Sequence, residues 1–228
     1  MIEIRNLSKR FDDLVVLDKI SFDIEDARLI VILGPSGTGK TVLLKSILRL
    51  IPADNGEVIF DGKSIYSITE PEIYEIRKQV GFVFQGAALF DSMNVFENIS
   101  LPLIEHTSLT SKEIKKRINK ILEIIGLSGK ENLYPNALSG GMKRLVSIGR
   151  ALALDPKYLF YDEPTTGLDP IMRDRMVALI VNLKKNYQKS GVVVTHDLDT
   201  AQAVGDEILM LKNGKINKLE KVEKKFYG

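Results

Sequence analysis

A continuous apolar run, Leu29-Ile30-Val31-Ile32-Leu33, breaks into Gly34-Pro35-Ser36-Gly37-Thr38-Gly39-Lys40-Thr41 and then into a helical pattern that reaches about Leu50 and stops at Pro52. Five consecutive apolar residues suit a strand buried on both faces. A glycine-rich turn between such a strand and a helix lets backbone N–H groups converge on phosphate oxygens, and the positive end of the helix dipole adds to the attraction. Lys40 stands where an ammonium reaches the outer phosphates, and Thr41 where a hydroxyl can ligate Mg²⁺. A plain glycine-rich turn is the alternative, and the strand before it and helix after it weigh against that.

The rest of the chain is organised around that unit. Ile2 to Ile4, Leu14 to Leu17, Ser21 to Ile24 and Glu57 to Phe60 read as short strands, with Asp61-Gly62 as a hairpin turn. Thr110-Ser111-Lys112-Glu113 resembles a capping box ahead of Ile114, Ile118, Ile121, Leu122 and Ile125 at helical spacing, closed by Gly126. After Pro135 the pattern predicts a helix from Gly141 to Leu154, a strand Tyr158 to Tyr161, a helix from Pro170, a strand Val192 to Thr195, a helix from Asp197 and a strand Ile208 to Leu211. This αβαβ alternation implies parallel strands with crossover helices, hence an α/β core.

Composition excludes more than it selects. The 228 residues are 44 % hydrophobic and 27 % charged, which fits a globular chain with one large core. A formal charge of +2 offers no broad basic surface for nucleic acid. The absence of cysteine removes disulfide frameworks, thiolate metal sites and cysteine nucleophiles. No segment has the pattern of a signal peptide or the ~18 uncharged apolar residues of a membrane span.

Tyr158-Leu159-Phe160-Tyr161 ends in Asp162-Glu163, and in a parallel sheet such strand ends face the ligand crevice. Asp162 is the candidate Mg²⁺ holder and Glu163 the candidate for orienting or deprotonating an attacking water. Leu138-Ser139-Gly140-Gly141-Met142 opens a helix, and with the two motifs above it resembles the signature of ATP-binding cassette (ABC) ATPases. The resemblance covers nearly the whole chain. Further elements match in order: Phe11 where an aromatic stacks on adenine, Gln85 as the Q-loop, Gly167-Leu168-Asp169 as the D-loop and His196 as the switch histidine. Taken singly, Phe11 reads as core, Gln85 as a surface amide and His196 as a helix-start residue. His106 matches nothing in the pattern and is expected to be exposed.

The resemblance implies a P-loop ABC ATPase. Its fold would be a RecA-like parallel-sheet core (about residues 1–85 and 156–228) that includes an N-terminal antiparallel β subdomain, with an inserted α-helical subdomain (about 86–155). It implies ATP and Mg²⁺ as ligands. Lys40, Gln85, Glu163 and His196 would be catalytic, and Thr41, Gln85 and Asp162 would hold the metal. Phe11, Gly34 to Thr41, Ser139, Gly140, Gly141 and Asp169 would contact nucleotide. Two chains would close head to tail, each ATP held by one P-loop and the partner's signature, forming a homodimer on ATP binding. Met142 stands where Gln is most common, which leaves the Ser and Gly donors intact.

The wording Val83-Phe84-Gln85-Gly86-Ala87-Ala88-Leu89-Phe90-Asp91-Ser92-Met93, with Met142 and Thr166-Gly167-Leu168-Asp169-Pro170-Ile171, is similar to cassettes of the Mla branch. That branch serves phospholipid transport with an MCE-domain partner. The implied setting is the cytoplasmic face of the inner membrane, beneath permease subunits and without nucleic acid. Leu89, Phe90 and Met93 are expected to be exposed and to suit a groove for a short amphipathic helix of the permease, with ordinary packing of the helical lobe as the alternative. A cassette for an amino acid or other small solute, and a soluble non-transport ABC ATPase, are the alternatives. From Lys212 onward six Lys face two Glu, and Ile216, Leu219, Val222 and Phe226 are spaced as one edge of a final helix, expected to pack that edge on the core, with an amphipathic helix near anionic lipid as the alternative. The chain is expected to lack the extra regulatory domain that some cassettes carry.

Overall fold

The computed structural model describes residues 1–219. In chain order its elements begin with β1 (Ile2–Phe11), β2 (Leu14–Ile24), β3 (Leu29–Leu33), α1 (Lys40–Ile47), β4 (Asn55–Phe60) and β5 (Lys63–Ser64). Next come α2 (Glu70–Lys78), β6 (Val80–Val83), α3 (Val95–His106), α4 (Ser111–Ile125) and α5 (Gly140–Leu152). The chain continues through β7 (Tyr158–Asp162), α6 (Pro170–Tyr187), β8 (Ser190–Thr195), α7 (Leu198–Val204), β9 (Glu207–Lys212) and β10 (Lys215–Leu219). The fold is α/β. A six-stranded sheet has the order β10-β9-β3-β8-β7-β6, parallel throughout except for β10, and an antiparallel sheet has the order β2-β1-β4-β5.

The apolar run of β3 is divided by strand alternation. Leu29, Val31 and Leu33 pack into one core with Leu159, Tyr161 and Val193 and with α3 to α7, while Ile30 and Ile32 pack into another with Phe160, Val192, Val194, α1 and the antiparallel sheet. A strand buried on both faces therefore needs no polar positions, which is why its sequence shows none. At Gly191 in β8 a Cβ would lie 1.8 Å from the Leu159 carbonyl oxygen, so only glycine lets β8 close onto β7 there.

The entry to β3 is pinned by Asp206. Its carboxylate accepts the Leu29 N–H at 2.9 Å and the Lys184 ammonium at 2.9 Å. Burial works against its charge, but the Leu29 N–H and Lys184 prevail and hold the carboxyl below the usual carboxylate range. A depressed folded value means that the stabilisation is present above about pH 4 and is lost as pH falls through the folded value. Asp206→Ala is expected to cost about 2 kcal/mol at neutral pH, the range for hydrogen bonds to a charged group. Urea melts at neutral and acidic pH check this, since the gap from wild type should narrow in acid.

Helices α3, α4 and α5 form one lobe between β6 and β7. The capping box of Thr110 and Glu113 is present at α4, and Gly126 ends that helix in the left-handed conformation (φ 66°). A second capping box at α3 uses Asn94 and Glu97.

Three expectations are corrected. Ile216 and Leu219 lie on β10, not on a helix: Asn213-Gly214, at φ 50° and 74°, turns the chain into a hairpin with β9. Val222 and Phe226 lie outside the described residues. His106 is half-buried, because its ring Nδ1 sits 3.0 Å from the Tyr74 hydroxyl across the two lobes. Leu89 and Met93 are partly buried, Leu89 packed on the core of the helical lobe, whereas Phe90 is 48 % exposed.

Candidate functional site

Four parallel strands end at one edge of the sheet, and the glycine-rich turn, Gln85, the Asp162-Glu163 pair and His196 each sit at or just beyond one of those ends. Register pairs Leu33 with Thr195, Asp162 with Val194 and Val83 with Tyr161. Hence Gly34, His196, Glu163 and Gln85, though far apart in sequence, emerge side by side in the crevice outside the strand ends.

The glycine-rich turn leads directly into α1, with Lys40 as its first residue. Gly37 and Gly39 have φ of 79° and 98°, and a Cβ at Gly39 would meet Val16 Cγ1 at 2.5 Å. Thr38 Oγ1 donates to the Pro35 carbonyl at 2.9 Å, closing the loop. Lys40 is buried and its ammonium donates to the Gly34 and Pro35 carbonyls at 2.8 and 2.9 Å and pairs with Glu163 Oε1 at 3.1 Å.

Thr41 Oγ1 donates to the Asp162 carboxylate, 2.9 and 3.0 Å from its two oxygens. Burial pushes the Asp162 carboxyl up, the Thr41 hydroxyl pulls it down, and the charge of Glu163 adds to the upward shift. A buried carboxylate with raised pKa and a hydroxyl beside it is a hard-oxygen donor set, the chemistry that suits Mg²⁺. These residues fit the metal.

Glu163 sits at φ 50°, a left-handed backbone that is uncommon outside glycine, and its N–H donates to the Val194 carbonyl at 3.0 Å. Its buried carboxylate has a full set of partners. Besides Lys40, Oε2 accepts the Thr166 hydroxyl at 2.8 Å and His196 Nδ1 at 2.9 Å. Glu163 and Lys40 border a cleft of about 310 Å³, whose lining is Phe11, Val16, Ser36, Gly37, Gly39, Lys40, Thr41, Val42, Gln85 and Glu163. Phe11 is 44 % exposed, so its ring lies at the surface of the cleft rather than serving as core.

Ser139, Gly140, Gly141 and Asp169 do not line this cleft. Ser139 caps α5 by accepting the Met142 N–H at 3.3 Å, and Asp169 caps α6 by accepting the Met172 N–H at 3.0 Å. Ser139 and Gly140 are exposed, whereas Gly141 is buried against Met172, where a Cβ would lie 2.5 Å from Cε. The N-terminus of α5 thus presents free backbone N–H groups outward.

Two residues that sequence reasoning missed belong here. Thr166 supplies the hydroxyl to Glu163, and Arg144 on α5 reaches backbone carbonyls around the site. A polar position three residues after Glu163 was the available signal for Thr166. A separate hollow of about 350 Å³ lies between the lobes, lined by Tyr74, Arg77, Lys78, Phe82, Phe84, Pro102, His106 and Arg150 among others.

The chain matches the ABC transporter family over residues 17–166. It is 37 % identical over 216 residues to the intermembrane phospholipid transport system ATP-binding protein MlaF of Haemophilus influenzae, covering 95 % of this chain and 82 % of that protein. It is 38 % identical over 210 residues to the probable ribonucleotide transport ATP-binding protein mkl of Mycobacterium leprae, covering 92 % of this chain and 60 % of that one. Among solved structures, a dimeric structure of the bacterial ABC transporter cassette MJ0796 superposes with a TM-score of 0.88 and 33 % identity, covering 97 % of this chain and all of that chain. With the crevice, the glycine-rich turn and these likenesses together, the chain belongs to the ABC transporter family as an ATP-hydrolysing cassette.

Proposed function

We propose that this cassette powers phospholipid transport by a membrane permease, closing on ATP as a head-to-tail homodimer. The observation that carries the phospholipid reading is the likeness to MlaF over 95 % of this chain and 82 % of that protein. Among the described residues no helix is long and apolar enough to cross a membrane, so the lipid path is assigned to other subunits. The cassette would sit peripherally on the cytoplasmic face of the inner membrane, with an MCE-domain protein completing the assembly. The inter-lobe hollow, with its Phe82 and Phe84 floor and exposed Phe90 nearby, would receive a short amphipathic helix of the permease. The core (1–85 and 156–228) and the α-helical subdomain (86–155) would move against each other as two units.

In the proposed chemistry Phe11 stacks on adenine, and the N–H groups of the turn from Gly34 to Thr41 bind the phosphate oxygens. Lys40 turns from Glu163 toward the β and γ phosphates. Thr41, Gln85 and Asp162 hold Mg²⁺, which when bound neutralises charge on the outer phosphates. Glu163 accepts a proton from water as its oxygen attacks the γ-phosphorus, the bond from that phosphorus to the bridging oxygen breaks, and ADP and phosphate result. His196 fixes the Glu163 carboxylate and faces the γ-phosphate. Ser139, Gly140 and Gly141 of the partner chain donate to the same phosphate, with Asp169 beside them. Loss of the γ-phosphate removes those contacts and the dimer opens.

The test is affinity purification from detergent-solubilised native membranes, with co-purifying proteins and lipids identified by mass spectrometry. The expected result is a permease, an MCE-domain protein and bound phospholipid. A solute permease with a soluble binding protein, and neither an MCE-domain protein nor phospholipid, overturns the lipid assignment.

A further inference from the structure

Arg144 is a cation without a carboxylate. It is half-buried on α5, five residues after Ser139, and among the described residues it makes no ion pair. Burial lowers its affinity for a proton, and the nearby Asp162 and Glu163 carboxylates act in the opposite direction. Its guanidinium instead spans three backbone carbonyls: Nη1 donates to Phe84 O at 3.4 Å and Glu163 O at 3.3 Å, and Nη2 donates to Thr166 O at 3.3 Å.

These three carbonyls belong to three different parts of the site. Phe84 immediately precedes Gln85, Glu163 is the proposed base, and Thr166 both bonds the Glu163 carboxylate and opens the turn to Asp169. A planar fork with donors on two nitrogens can hold such a set together, whereas a lysine offers a single point of attachment. The long, shared bonds are weak singly, so a small rotation of α5 changes all three at once.

We infer that Arg144 is a positioning residue that couples the orientation of the signature helix to the backbone of Glu163, Gln85 and the D-loop. The same helix carries Ser139 at its outward tip, five residues from the guanidinium. Docking of that tip on the partner's nucleotide therefore acts on a helix already bonded to all three carbonyls, and shortening those 3.3–3.4 Å bonds holds the Glu163 backbone more firmly at φ 50°, which few conformations support. Hydrolysis is thereby tied to closure. The inference rests on the proposed role of Glu163 as base.

The experiment compares Arg144→Ala, Arg144→Lys and Glu163→Gln in the purified chain with its membrane subunits retained. It reads steady-state ATPase rates, binding of a fluorescent ATP analogue and thermal melting. For Arg144→Ala the expected result is a loss of kcat of about 10- to 100-fold, the scale for an ångström-level misplacement, with nucleotide affinity within about twofold of wild type. Arg144→Lys should recover part of the rate, and Arg144→Ala in a Glu163→Gln background should still dimerise with ATP. A kcat within about twofold of wild type in Arg144→Ala, while Glu163→Gln is inactive, overturns the inference. Equal losses in kcat and nucleotide affinity in both Arg144 variants overturn it as well. An active Glu163→Gln enzyme would instead overturn the assignment of the base.

Discussion

Replacing Glu163 with glutamine slows ATP turnover by about a hundred- to ten-thousandfold while ATP-bound dimers accumulate, the scale expected when a general base is removed. The amide keeps the shape of the side chain and an oxygen that can accept the Thr166 hydroxyl, so the crevice should stay intact. It cannot take a proton from water. It also ends the ion pair with Lys40, which leaves that ammonium free to turn to phosphate. Phosphate release and size-exclusion chromatography with ATP check the two halves of this expectation. Turnover within tenfold of wild type would remove Glu163 from the account.

Lys40→Ala should have the opposite signature, with nucleotide binding itself lost. The ammonium now satisfies two turn carbonyls and one oxygen of a buried carboxylate. Its removal leaves Glu163 without its full-charge partner and takes one positive charge from the phosphate site, and breaking a buried pair in this way costs about 3–5 kcal/mol. ATP affinity is expected to fall by about a hundredfold or more, equivalent to at least about 2.7 kcal/mol. Titration with a fluorescent ATP analogue measures this directly, and a thermal shift with ATP gives an independent reading. Retention of wild-type affinity would show that the turn's N–H groups alone hold the phosphates.

The core of the site was legible because its parts are local. The glycine-rich turn, the apolar strand before it and the carboxylates after Tyr161 are each contiguous, and parallel strands deliver such ends to one edge. What the sequence hid is non-local or weakly patterned. Asp18-Lys19 looks like a break between two strands, yet β2 runs through it because Lys19 adopts φ 54°, its N–H donates to Ser8 Oγ at 3.0 Å and the Asp18 N–H donates to Gly214 O at 2.8 Å. Helix α2 buries only Ile73 and Ile76, too few for a clear period, although its Thr69 and Glu72 capping box was present in the sequence. Helix α3 carries Pro102 inside it. The pairing of Lys40 with Glu163 and the reach of Arg144 depend on tertiary contacts that spacing alone does not encode.

The central claim is that ATP is bound between two copies, by the P-loop of one and the signature of the other. Because the chain contains no cysteine, thiols can be introduced singly without background. Chains carrying Thr38→Cys and chains carrying Ser139→Cys, both in the Glu163→Gln background and differently tagged, would be mixed and treated with a short thiol-to-thiol cross-linker. A cross-linked pair of the two tags is expected to form with ATP and Mg²⁺ and not with ADP or without nucleotide. Cross-linking that is independent of ATP, or none while size-exclusion chromatography shows ATP-bound dimers of the two variants, would contradict the claim.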